Sequence, residues 1–171
     1  MLKVLCSGIF LLFFICTQAY SIDFDYKKVS DFKKLSDFSS VEKFESELAK
    51  YVEDCLANTG GGTGGLRCYI GSNVWDRELN IYYQKLNSKL SQQEKTLLKK
   101  SQLTWLKNRD DTIEFVTEFL VNRYPRQGTM FRLMQAGDLD AVMTPFIKQR
   151  ALFLKRWFEF ESQAEPEPVK G

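Results

Sequence analysis

The chain has 171 residues, with 24 Lys and Arg against 22 Asp and Glu, no His, and a formal net charge of +2. That length suits one domain, and a balanced charge with no basic block excludes nucleic acid as an expected partner. The lack of His removes the side chain that most often acts as a base near neutral pH, and a common metal ligand with it.

Residues 1–19 read as a secretory signal peptide. Lys3 gives the basic start, Val4 to Cys16 an apolar stretch broken by Ser7 and Gly8, and Thr17-Gln18-Ala19 a small-x-small site. Cleavage is expected after Ala19, with Ser21 as the alternative. Two other readings stand beside it. An uncleaved anchor would need roughly 18–20 apolar residues to span a bilayer, more than this stretch has. A lipoprotein cut before Cys16 would want small residues where Phe13, Phe14 and Ile15 stand. No later apolar segment is long enough to span. Removing residues 1–19 takes away Lys3 alone among the charged residues and leaves a net charge of about +1. Residues 20–38 form a leader with a repeated Asp-Phe, at Asp31-Phe32 and Asp37-Phe38, either packed as a short helix or loose.

A helical domain is expected over 39–162. Its first helix runs from about Val41 to Ala57, with Ser39 and Glu42 as a capping box. Val41, Phe44, Leu48, Tyr51 and Cys55 fall three or four apart and make one apolar stripe. The glycine-rich run at 60–65 cannot hold a helix and reads as a loop. The second helix starts near Asn73 or Val74 and ends near Leu90, with Trp75, Leu79, Tyr82, Leu86 and Leu90 on its stripe. The third starts at Ser91, capped with Glu94, and reaches about Asn122 along Leu98, Gln102, Trp105, Arg109, Ile113, Val116 and Leu120. Pro125 and Gly128 break it. The fourth runs from about Asp138 to Glu161, with Leu139, Met143, Phe146, Arg150, Leu154 and Trp157 on one face. The Pro-rich tail 163–171 reads as disordered. With no period-two pattern, the fold class is all-α: a small bundle of about four helices with one disulfide.

That disulfide follows from export. Cys6 and Cys16 leave with the signal peptide, and Cys55 and Cys68 are expected to pair in an oxidising compartment. Free thiols are the alternative. Two cysteines without His do not make a structural zinc site.

Gln102 and Arg109 lie on an apolar stripe two turns apart, with Trp105 between them. A charge there needs a partner. Asp76 and Asn80, one turn apart on the preceding helix, are positioned to supply one, with Arg109 expected to bond Asp76. This network of Asp76, Asn80, Gln102 and Arg109 either holds two helices in register or lines a ligand pocket. The sequence contains no GxSxG, Walker loop or metal-ligand spacing, and the glycine run lacks the Gly-Lys-Ser/Thr ending of a phosphate loop. Nothing singles out a carboxylate pair for glycosidase chemistry. No catalytic residue, cofactor or metal is expected.

Cys55 and Cys68, followed by Trp75-Asp76-x-x-Leu79-Asn80-x-x-Tyr83, Leu86, Leu90 and Gln102-x-x-Trp105-Leu106-x-x-Arg109-Asp110, resemble the LprI-type lysozyme inhibitor family of exported bacterial proteins. The similarity covers about residues 55–111. Thr144 and Arg150 stand where that family often has a Thr and an Arg, at wider spacing. The family usually has a further cysteine pair beyond Arg-Asp, and this chain has Asp111-Thr112 there instead. The resemblance implies a periplasmic or secreted helical protein that binds and inhibits lysozyme or another cell-wall hydrolase, with no membrane span after signal cleavage. The alternative is an envelope adaptor or secretion-associated binding protein of the same fold with a different partner. Animal lysozymes are typically cationic, so an acidic patch would help, and Glu165, Glu167 and the acids at 110–118 are candidates. The segment between the cysteines, 56–67, is the expected partner-binding protrusion, through Gly61, Gly62, Gly64 and Arg67; the alternative is that it is only a flexible connector.

The cysteine count generates a direct test. The exported protein should have a mass two hydrogens below its reduced form and should take up no alkylating reagent at Cys55 or Cys68 until reduced. Reduction should lower stability by roughly 2–3 kcal/mol. Two thiols alkylated without reductant would overturn the pairing.

Overall fold

The computed structural model describes residues 24–59 and 62–163. The expected signal peptide, Gly60, Gly61 and residues 164–171 lie outside them. The described residues form helices and turns with no strand: α1 (Val41–Asn58), α2 (Gly71–Lys89), α3 (Gln92–Arg123) and α4 (Thr129–Gln163), preceded by short 3₁₀ turns at Val29–Asp31 and Leu35–Asp37, with a third at Thr63–Cys68. Cys55 and Cys68 are bonded, with Cα atoms 5.6 Å apart.

Three helix starts show what decides them. Ser91 caps α3 as expected, with Glu94 reaching back to the Ser91 N–H at 2.8 Å. On α1 the cap is Ser40 rather than Ser39, its hydroxyl accepting from the Lys43 N–H at 3.3 Å. On α2 no neighbouring side chain caps the helix. The carboxylate of Asp140, from α4, accepts the Ser72 N–H at 3.0 Å instead, placing a negative group at the positive end of α2. The helix therefore begins at Gly71, before the Asn73 or Val74 that local pattern indicated. The fourth helix also begins earlier than Asp138, at Thr129, just after Gly128 at φ +145°. It runs through Gly137, where a Cβ would lie 2.9 Å from the Tyr69 hydroxyl, and through Pro145.

α2 packs most extensively on α4, and the two run in the same direction. Gly71 meets Thr144 at one end, where a Cβ would lie 2.6 Å from the Thr144 hydroxyl, and the Tyr82 ring meets Phe158 further along. α3 lies antiparallel to both, with Trp105 stacked on Phe146 at 5.7 Å. The core gathers residues of the expected stripes, Phe44, Leu48, Tyr51 and Cys55 of α1, Trp75, Leu79, Tyr82 and Leu86 of α2 and Leu154 of α4, together with Ile147 and Ala151, which the α4 pattern did not include. Trp157, expected on the inner face of α4, is exposed.

The leader is packed rather than loose. Phe32 and Leu35 are buried in the same core, and the Phe32 ring meets Tyr51 edge-on at 5.0 Å. Its anchor is Arg77, whose Nη1 donates to the carbonyls of Val29 (2.6 Å) and Phe32 (2.7 Å) and whose Nη2 donates to that of Lys33 (2.8 Å). The same guanidinium pairs with Glu78 at 2.6 Å, and the Glu78 side chain is 1 % exposed. Burial, then the nearby Glu78 carboxylate, push the Tyr82 hydroxyl up to about 12.

Arg77→Ala strands a buried carboxylate and frees the leader, and is expected to cost about 3–5 kcal/mol. The double variant Arg77→Met with Glu78→Leu should recover much of the loss in urea denaturation, while its leader still becomes more sensitive to trypsin at Lys33 and Lys34. An unchanged denaturation midpoint in Arg77→Ala would mean the pair contributes nothing.

Candidate functional site

The network expected from sequence divides in two. On the rim between α2 and α3, Asn80 Nδ2 donates to the Asp76 backbone carbonyl at 2.8 Å and to its Oδ2 at 3.0 Å. Arg109 Nη1 reaches Asp76 Oδ1 at 3.4 Å, while its Nε donates to Asp110 Oδ1 at 2.9 Å. The expected Arg109–Asp76 bridge exists, but it is long and shared. The two side chains are 24 % and 40 % exposed, so the bridge is a half-wet contact rather than a buried charge. Gln102 is buried, and its partner lies elsewhere: Arg150 of α4 donates from Nε to Gln102 Oε1 at 3.0 Å and from Nη2 to Ser101 Oγ at 3.1 Å. Burial pulls the Arg150 guanidinium below the usual arginine range, yet it stays cationic at neutral pH. One half of the motif thus joins α3 to α2, and the other joins α3 to α4.

Asp76, Asn80, Gln102 and Arg109 all border one cavity of ≈ 370 Å³ between α2 and α3. Asp76 and Arg109 also border a second, of ≈ 260 Å³, floored by Met143 and Ile147. Their bridge is a partition between two hollows. Among the described residues no cluster of three potential metal ligands occurs. Thr144 donates to Asp140 Oδ1 at 3.1 Å, so the threonine singled out by resemblance steadies the carboxylate that caps α2.

The segment between the cysteines is not a free arm. Residues 63–68 form a 3₁₀ helix that packs on α1 and α4. A Cβ at Gly65 would lie 2.9 Å from Leu133, and one at Gly64 would lie 2.7 Å from the Tyr26 hydroxyl. The Arg67 guanidinium sits 3.9 Å over the Tyr26 ring. Gly62 faces open space, with nothing within 4 Å of a Cβ there. Gly61 lies outside the described residues. Residues 63–68 of the expected protrusion are folded down on α1 and α4, with Tyr26 of the leader against Gly64 and Arg67. The acidic candidates near 110–118 are partly spent, Asp110 on Arg109 and Asp111 on Lys107 at 2.9 Å. Glu165 and Glu167 lie outside the described residues.

Sequence reasoning missed Arg77, Glu78 and Asp140. Glu78 stands between Trp75 and Tyr82 on the buried stripe, the same signal that singled out Gln102. Asp140 carried no local signal, because the helix it caps lies 68 residues away.

Comparison with protein-family models matches residues 42–151 to the family described as lysozyme inhibitor LprI. Comparisons with curated proteins and with solved structures give no match.

The division of the network orders two substitutions. Arg109→Ala breaks a half-exposed ion pair and should cost about 0.2–1 kcal/mol. Arg150→Ala leaves the buried Gln102 carbonyl unsatisfied and should cost about 1–3 kcal/mol. Urea midpoints measure both, and a larger loss in Arg109→Ala would show that the rim contact is the structural one.

Proposed function

The chain belongs to the LprI lysozyme inhibitor family, and from that premise we propose that it is an exported bacterial protein that binds lysozyme, or a related cell-wall hydrolase, and blocks it. The observation that carries this reading is the family match over 42–151, a span that holds the disulfide, the four motif residues and most of the four-helix frame. Export rests on the basic start, apolar stretch and small-residue cleavage site of residues 1–19. Among the described residues no helix is long and apolar enough to cross a membrane.

Gly61, Gly62, Gly64 and Arg67 remain the proposed contact for the enzyme. The disulfide holds the ends of their segment together and limits the freedom lost on binding. Arg67 offers a guanidinium to an acidic group of the enzyme, at the cost of its stacking on Tyr26.

A second reading is an envelope adaptor of the same fold. It is favoured by the roles of the motif residues. Asp76, Asn80, Gln102 and Arg109 join helices, and a shared frame predicts a shared fold more securely than a shared target.

An inhibition assay with a panel of lysozymes separates the two. The mature protein should slow at least one of them. Arg67→Glu, or removal of residues 60–62, should weaken that inhibition at least tenfold while the helical circular dichroism and melting temperature stay near wild type. Wild-type potency in both variants would remove the inter-cysteine segment as the contact. No inhibition across the panel would favour the adaptor.

A further inference from the structure

One face of α1 differs from the rest of the helix. Glu42, Glu45, Ala49, Val52, Glu53 and Leu56 recur at helical spacing along it, and no Lys or Arg interrupts them. This face forms one wall of a cavity of ≈ 570 Å³ between α1, the start of α2 and α4. Leu48, Val52, Leu56 and Trp75 make its apolar lining, and Glu45, Glu53 and Asp140 are its charged residues, with the Lys148 ammonium at one edge, 5.8 Å from the Trp75 ring centroid. Two of the carboxylates are engaged: Glu45 pairs with Lys148 at 2.7 Å, and Asp140 caps α2. Glu53 is exposed and has no ion-pair partner among the described residues. A second observation marks the same place. Trp75 is 0 % exposed, and its indole Nε1 is the one buried side-chain polar atom without a hydrogen-bond partner among the described residues. The groove thus has an unmatched donor beneath its apolar floor.

We propose that this groove is a docking surface for a cationic protein segment. An apolar side chain of the partner lies against Ala49, Val52 and Leu56, and a flanking Lys or Arg reaches Glu53. Apolar lining supplies contact area, and the acidic wall supplies orientation and encounter rate. The identity of the partner, a cationic lysozyme, rests on the inhibitor reading. The chain as a whole carries almost no net charge with which to attract such a protein, so a local acidic wall is where the attraction must reside. The groove also lies apart from the α2–α3 cavity that the motif residues border, so the two surfaces are testable separately.

The test uses the full mature protein and a cationic animal lysozyme, reading inhibition and direct binding at two salt concentrations. Ala49→Trp fills the groove from an exposed position, and Glu53→Lys reverses its free charge. Asp54→Lys makes the same charge change on the opposite face of α1, away from the groove. Melting temperature checks that each variant folds. The expected result is at least tenfold weaker binding in Ala49→Trp and Glu53→Lys, a shallower salt dependence in Glu53→Lys, and little change in Asp54→Lys. Inhibition and binding at wild-type strength in both groove variants would overturn the docking surface and leave the inhibitor reading standing. Binding without inhibition, lost in the groove variants, would sink the inhibitor reading and keep the docking surface. Absence of any binding by the wild type would overturn both. Self-association of the protein that disappears in Ala49→Trp would assign the groove to a second copy and overturn the proposed partner.

Discussion

A carboxylate as deeply buried as that of Glu78 has to be neutralised or the core around it does not form. Arg77 does this from the adjacent position on α2, and the geometry has a further effect. A guanidinium has five N–H donors in a fixed plane, and Glu78 uses only part of them. The rest are satisfied by the carbonyls of Val29, Phe32 and Lys33. One buried charge thereby fixes the path of a leader that has no regular helix longer than a 3₁₀ turn. That path brings Phe32 and Leu35 into the core and sets Tyr26 beside Arg67. The N-terminal cover and the inter-cysteine segment are both held, at one or two removes, by the Glu78 side chain.

The apolar stripes were legible because a helix repeats every 3.6 residues and a core selects one face. Phe44, Leu48, Tyr51, Trp75, Leu79, Tyr82 and Leu154 are buried as their spacing required. The start of α3 was legible because Ser91 and Glu94 are neighbours in sequence. The starts of α2 and α4 were not. Nothing near Ile70 caps a helix, and Asp140 does so from the far end of the chain. Gly137, which lies inside α4, is there because the Tyr69 ring leaves no room for a Cβ. Close approach between elements overrides local propensity at such positions, and single-sequence periodicity has no access to it.

The candidate site was legible in the Arg109–Asp76 contact and not in the partner of Gln102. Gln102 and Arg109 were both conspicuous as polar residues on an apolar stripe. Spacing along α3 cannot say that Gln102 turns to α4 while Arg109 turns to α2, because that depends on where the third helix sits against the other two. The half-exposed Asp76 likewise follows from the width of the α2–α3 cavity, which packing sets. For function, the motif therefore works mainly as joinery. The surfaces proposed for a partner lie beyond it, at Gly62 and Arg67 and along α1.

The cap that Asp140 places on α2 also bears on the order in which the chain assembles. A polypeptide delivered across a membrane N-terminus first presents α2 long before α4 emerges. The Cys55 and Cys68 thiols, 13 residues apart, are free to meet early. The first turn of α2 has no partner for its N–H groups other than water until Asp140 arrives, and the Gln102 carbonyl waits in the same way for Arg150. The disulfide can thus close on a bundle that is still open, and the last helix to appear completes both the cap and the buried contact. Completion of this fold is consequently set by contacts of high sequence separation rather than by the early pairing of its cysteines.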